Sequence, residues 1–156
     1  MSSALAFERV TKRYRNGVVA LDDASWSIPI GARTCLLGPN GAGKSTAIRL
    51  LEGALRASSG IVTLLGARPD APEYAGARRR TGVVPQSPGM YADLSIVEYL
   101  ELVHRLYGRG DVGRVVEAFG LGPHRATMLA ALSGGFRRRL LLAAALLSEP
   151  EMLLLD

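Results

Sequence analysis

Gly38-Pro39-Asn40-Gly41-Ala42-Gly43-Lys44-Ser45 is the stretch on which the fold turns. It satisfies G-x-x-x-x-G-K-[ST] in full, and its surroundings are those the pattern requires. The apolar run 34–37 before it reads as a short buried strand. From Lys44 the pattern becomes helical, with Ala47, Leu50 or Leu51, and Ala54 recurring on one face. Glycines let such a loop curl until successive N–H groups converge on phosphate oxygens, helped by the positive end of the following helix. Lys44 is then expected to reach the β- and γ-phosphates and the Ser45 hydroxyl to ligate Mg²⁺. Thr46, the next residue, falls within the same candidate site.

Working outward, residues 4–10 and 24–30 read as strands, and Asn16-Gly17 between them suits a hairpin turn. Ser58-Ser59-Gly60 breaks the helix that follows the loop, 61–65 reads as a strand, and 70–76 as a loop. Residues 81–84 form a strand closed by Pro85. Ser95 and Glu98 make a capping box, S-x-x-E, opening a helix with Ile96, Leu100, Val103 and Tyr107 at helical spacing. Asp111 caps a second helix carrying Val112, Val115, Val116 and Phe119, which Gly120 stops. Gly134-Gly135 opens an apolar helix to about Leu147, and the strand 152–155 delivers Asp156. Strands alternating with helices around Gly-rich turns predict an α/β architecture, and no internal repeat or linker interrupts it.

Two further stretches narrow the class. Met152-Leu153-Leu154-Leu155-Asp156 has the shape of a Walker B segment, in which a carboxylate at the end of a buried strand holds Mg²⁺ through water. Leu132-Ser133-Gly134-Gly135, just upstream, resembles the signature sequence of ATP-binding-cassette (ABC) proteins. A serine hydroxyl and glycine N–H groups before a helix also make a second anion site on physical grounds. With the Walker A loop at 38–45, the chain resembles the nucleotide-binding domain of an ABC transporter from Leu5 to Asp156, with its motifs in family order.

The resemblance implies a P-loop NTPase fold: an ABC-type ATPase core with an N-terminal antiparallel β-subdomain and a helical subdomain at about 87–135. It implies ATP and Mg²⁺ as cofactors. Tyr14 is placed to stack on adenine. Gly38, Pro39, Asn40, Gly41, Ala42, Gly43, Lys44, Ser45 and Thr46 are placed to hold the phosphates. Gln86 matches the Q-loop glutamine near Mg²⁺ and the attacking water, so Lys44 and Gln86 are the catalytic candidates and Ser45, Gln86 and Asp156 the metal ligands. Ser133, Gly134 and Gly135 are implied to close on the γ-phosphate held by a head-to-tail partner. Residues 90–94, with Met90, Tyr91 and Leu94, correspond to the region where membrane-domain helices dock, or are core of the helical subdomain. The style of 93–108 and the arginines after the signature resemble bacterial exporter cassettes for drugs or lipids.

Phe136 and Ala144 depart from the family pattern, standing where glutamine and often arginine occur. The family continues from the Walker B aspartate with a water-polarising glutamate, a D-loop and a switch histidine, which this sequence does not contain. General-base assistance is worth about 10² to 10⁴ in rate, so the 156 residues are expected to bind Mg-ATP and hydrolyse it negligibly. The fold is expected to be incomplete at the C-terminus, with apolar surface and a strand edge left open beside the last strand.

The 48% apolar content supports one core, and 21% charged residues without a polar tract exclude a disordered chain. The charge of +5 comes from arginine, Lys12 and Lys44 being the two lysines. Arg78-Arg79-Arg80 and Arg137-Arg138-Arg139 lack interleaved aromatics, so they read as solvated faces rather than a nucleic-acid platform. Cys35, the single cysteine, is expected to be a small core residue in a reducing compartment, and His104 and His124 lack metal-ligand spacing. The longest apolar run, 140–147, is too short to span a bilayer. The leading reading is therefore an energy-coupling subunit at the inner face of the cell membrane. It would pair with a permease on another chain and with a second cassette, homo- or heterodimeric. A soluble ABC-family ATPase acting on nucleic acid or the ribosome, or a fragment without function of its own, are the alternatives. The sequence lacks the zinc cysteine pairs and long coiled coils of the nucleic-acid-acting members.

Overall fold

The computed structural model describes residues 3–86, 89 and 91–156. They fall into two units, one formed by 1–78 with Asp156 and one by 79–155. In the first, β1 (Ser3–Arg13) pairs antiparallel with β2 (Val19–Pro29) and with β3 (Ser59–Leu64), giving the order β2-β1-β3. The connection between β1 and β2 closes where the sequence placed it. Gly17 takes φ 87° and donates to the Tyr14 carbonyl at 2.9 Å. Alternation along β1 sends Leu5 and Phe7 into the core, a register shift between Phe7 and Val10 lets Val10 join them, and Phe7 stacks on Trp26 across the ladder at 4.4 Å.

α1 (Lys44–Leu51) starts at Lys44 as the pattern required and buries Thr46, Ala47, Leu50 and Leu51. It ends earlier than the periodicity suggested: Gly53 at φ 71° turns the chain, and Ala54 lies exposed beyond the helix. The stretch 70–76 is not wholly a loop, since α2 (Tyr74–Arg79) begins inside it. Six residues give too short a pattern to read; tertiary contact decides. Tyr74 and Ala77, one turn apart, are both buried, and the Tyr74 hydroxyl donates to the Leu51 carbonyl. Burial pushes the Tyr74 phenol up to about 12, which keeps that proton in place.

Residues 34–37 are the main correction. They form no strand; Leu37 is 85% exposed, and Cys35 is exposed rather than a core residue. Apolar character in sequence reports a preference for burial, but a strand also needs a hydrogen-bonded neighbour, and no described strand pairs with this run.

In the second unit β4 (Thr81–Val84) and β5 (Met152–Leu155) run parallel, from Thr81↔Met152 to Val84↔Leu155. Among the described residues β5 pairs with β4 alone, and Leu155 is 52% exposed. Around them pack α3 (Ile96–Tyr107), α4 (Val112–Ala118) and α5 (Gly134–Leu147), over a core that includes Ile96, Leu100, Leu121, Leu129, Leu140 and Leu147. α3 opens on the full capping box: Glu98 accepts from the Ser95 N–H at 2.8 Å, and Ser95 Oγ accepts from the Glu98 N–H at 3.4 Å. Asp111 caps α4 through the Arg114 N–H at 3.0 Å. No described helix is long and apolar enough to cross a membrane.

Candidate functional site

The Gly-rich loop leads directly into α1. Gly41 and Gly43 have φ of 84° and 86°, the left-handed region that side chains disfavour. At Gly43 there is a second constraint, because a Cβ would collide with the Ala20 carbonyl oxygen. The left-handed turn at Gly43 starts α1, whose first N–H groups have no partner within the helix. Lys44 arches back over the loop and donates from Nζ to the carbonyls of Gly38 at 2.8 Å and Pro39 at 2.7 Å. An ammonium and unpaired N–H groups at a helix N-terminus favour a polyanion.

Ser45, the second residue of α1, donates from Oγ to Asp156 Oδ1 at 2.9 Å, across 111 residues of sequence. Asp156 belongs to the same unit as the loop, and β5 carries the chain to it. Both groups are hard oxygen donors. Mg²⁺ takes hard oxygen donors directly or through retained waters, so the chemistry of the pair fits that ion. Glu52 lies within electrostatic reach: its carboxyl is held above the ordinary range, first by burial and then by the Asp156 charge, against Arg49 and Arg78.

Tyr14 lies half-buried at the turn after β1, and its hydroxyl shares a 3.1 Å hydrogen bond with Thr46 Oγ1. The structure thus brings Tyr14, the loop, Ser45, Thr46 and Asp156 into one unit. Gln86 and the 133–135 turn belong to the other. Gln86 is exposed two residues past β4. Ser133 caps α5, its Oγ accepting from the Phe136 N–H at 3.3 Å, while Gly134 and Gly135 open onto free space. Phe136 packs edge-on against His124 at 4.9 Å and beneath Arg139 at 5.2 Å, so apolar packing takes the place of a polar side chain there. Of the 90–94 stretch, Met90 lies outside the described residues; Tyr91 is exposed, and the Leu94 carbonyl accepts from the Leu129 N–H at 2.8 Å.

Sequence reading missed Lys12, whose Nζ lies 5.5 Å from the centre of the Tyr14 ring. Its signal was present: residues two apart along an extended chain share a face.

The family model described as ABC transporter matches residues 21–156. The Nod factor export ATP-binding protein I of Cupriavidus metallidurans is 36% identical over 162 residues, covering 100% of this chain and 53% of that protein. The daunorubicin/doxorubicin resistance ATP-binding protein DrrA of Streptomyces peucetius is 37% identical over 151 residues, 90% of this chain and 44% of its own length. The chain thus spans about half the length of the curated relatives it matches. Among solved structures, an ATP-binding subunit of an ABC transporter superposes with TM-score 0.86 at 27% identity, over 99% of this chain and 66% of that one. The cbiO1 protein of Clostridium perfringens, part of the cbiONQ transporter complex, gives 0.77 at 26% identity, over 100% of this chain and 66% of its own.

Proposed function

The chain belongs to the ABC transporter family, and from that premise we propose that it binds Mg-ATP as the energy-coupling subunit of a membrane transporter. The observation that carries the proposal is the 2.9 Å contact between Ser45 and Asp156, which joins the Walker A loop to the Walker B aspartate. In this reading Lys44 leaves the Gly38 and Pro39 carbonyls for the β- and γ-phosphates. Ser45 and Asp156 hold the Mg²⁺, and the N-terminus of α1 faces the phosphates. The bound cation would offset phosphate charge and orient the γ-phosphate. Tyr14 offers its ring to the base, and Thr46 lies beside the phosphates.

Gln86 is assigned to the metal and the attacking water, and Ser133, Gly134 and Gly135 to the γ-phosphate of a second cassette bound head to tail. ATP would then close the dimer, and the movement would pass to permease subunits through the helical subdomain at about 87–135. The match to the Nod factor export protein supports export as the direction, and the chain is assigned to the inner face of the cell membrane.

Titrating ATP with and without Mg²⁺ tests the metal half of the reading. Asp156→Asn and Ser45→Ala are each expected to remove most of the Mg²⁺-dependent gain in affinity. Wild-type ATP affinity that ignores Mg²⁺ would overturn it.

A further inference from the structure

We infer that Lys12 is a positioning residue for the base: its ammonium, fixed over one face of Tyr14, holds the ring so that a purine can stack on the other. The inference rests on the nucleotide reading above and adds to it a residue, and a physical role, that no motif assigns.

Three contacts carry it. Lys12 Nζ lies 5.5 Å from the centre of the Tyr14 ring, within the distance at which an ammonium is attracted to an aromatic face. That ammonium is not a freely moving surface charge, because it donates to the Arg56 carbonyl, in the segment after α1, at 2.7 Å. At the ring's edge, the Tyr14 hydroxyl is tied to Thr46 Oγ1 at 3.1 Å, and Thr46 is a buried residue of the helix that starts at the phosphate loop. The same strand end is held further by the Ser58 N–H donating to the Thr11 carbonyl at 2.8 Å and by the Arg13 N–H donating to Ser58 Oγ at 3.0 Å.

The ring is therefore fixed on one face by a cation and at its edge by the phosphate-binding helix. It borders a recess formed by Lys12, Arg13, Tyr14, Arg15 and Asn16. A platform already fixed in this way loses little freedom when a base stacks on it, and the ring's distance from the phosphates is set before the ligand arrives. Both lysines of the chain then serve one ligand, Lys44 at its phosphates and Lys12 behind its base.

The test compares Mg-ATP with Mg-tripolyphosphate, which has phosphates and no base, by calorimetric titration of the full chain and its variants. Lys12→Met is expected to weaken ATP binding about threefold, the size of an exposed cation–π contact, and to leave tripolyphosphate binding unchanged. Lys12→Arg is expected to restore ATP affinity, and Lys12→Met is expected to add nothing once Tyr14→Ala is present. Equal weakening of both ligands, or none of ATP, would overturn the inference while leaving the nucleotide reading intact. Should Tyr14→Ala leave ATP affinity unchanged, the base platform fails and the role of Lys12 with it. Should wild type bind neither ligand, the phosphate-loop reading itself fails and takes both down.

Discussion

At the scale of single residues, the phosphate loop depends on a few groups that have no substitute. Gly43 is one, since its φ of 86° and the Ala20 carbonyl against it both exclude a side chain. Gly43→Ala is expected to cost about 1–3 kcal/mol of stability, read as a lower denaturation midpoint in urea. Glu52 works in the opposite direction. Its carboxyl is held above the ordinary range by burial and by Asp156, so the folded state binds its proton more tightly than the unfolded chain does. Stability is therefore lost as pH rises from the ordinary carboxylate range through the raised folded value, and the loss persists at neutral pH. Glu52→Gln is expected to raise the melting temperature at pH 7 and to flatten its pH dependence between about 4 and 7. A variant that melts lower than wild type at pH 7 would contradict this.

At the scale of elements, helix starts were the most legible feature, because a cap is written in one or two residues. Ser95 with Glu98, and Asp111, stand where capping chemistry placed them, and α3 and α4 follow. Ser95→Ala is expected to cost about 1 kcal/mol in equilibrium unfolding. Glu98 adds a pH signature: its hydrogen bonds from the Ser95 side chain and backbone hold its carboxyl below the ordinary range. Its contribution is present above the ordinary carboxylate range and lost as pH falls through the lowered folded value, so wild type is expected to weaken on acidification more than Ser95→Ala does. Elements set by tertiary partners were not legible. α2 is held by the burial of Tyr74 and Ala77, and 34–37 has the composition of a strand without a described strand beside it. The pairing of Lys12 with Tyr14 had a pattern, but only the fold shows the ammonium lying over the ring.

At the scale of the whole molecule, motif reading singled out the 38–45 loop and Asp156 separately, but not that Ser45 and Asp156 meet at 2.9 Å. Motif spacing along a chain carries no distance between residues; the folded unit that holds both of them supplies it. Assembly belongs to this scale as well. With Mg-ATP the full chain is expected to shift toward a dimer in sedimentation equilibrium, and Ser133→Arg, which places bulk and charge at the open 133–135 turn, is expected to hold it monomeric. A dimer that forms equally well without nucleotide would count against the head-to-tail arrangement. The most direct measurement is a calorimetric titration of Mg-ATP into wild type and into Lys44→Ala. Wild type is expected to bind one nucleotide per chain, and Lys44→Ala about 10- to 100-fold more weakly, as loss of charge-assisted phosphate contacts requires. Equal affinity in the two proteins, or no binding to wild type, would contradict the assignment of this loop to ATP.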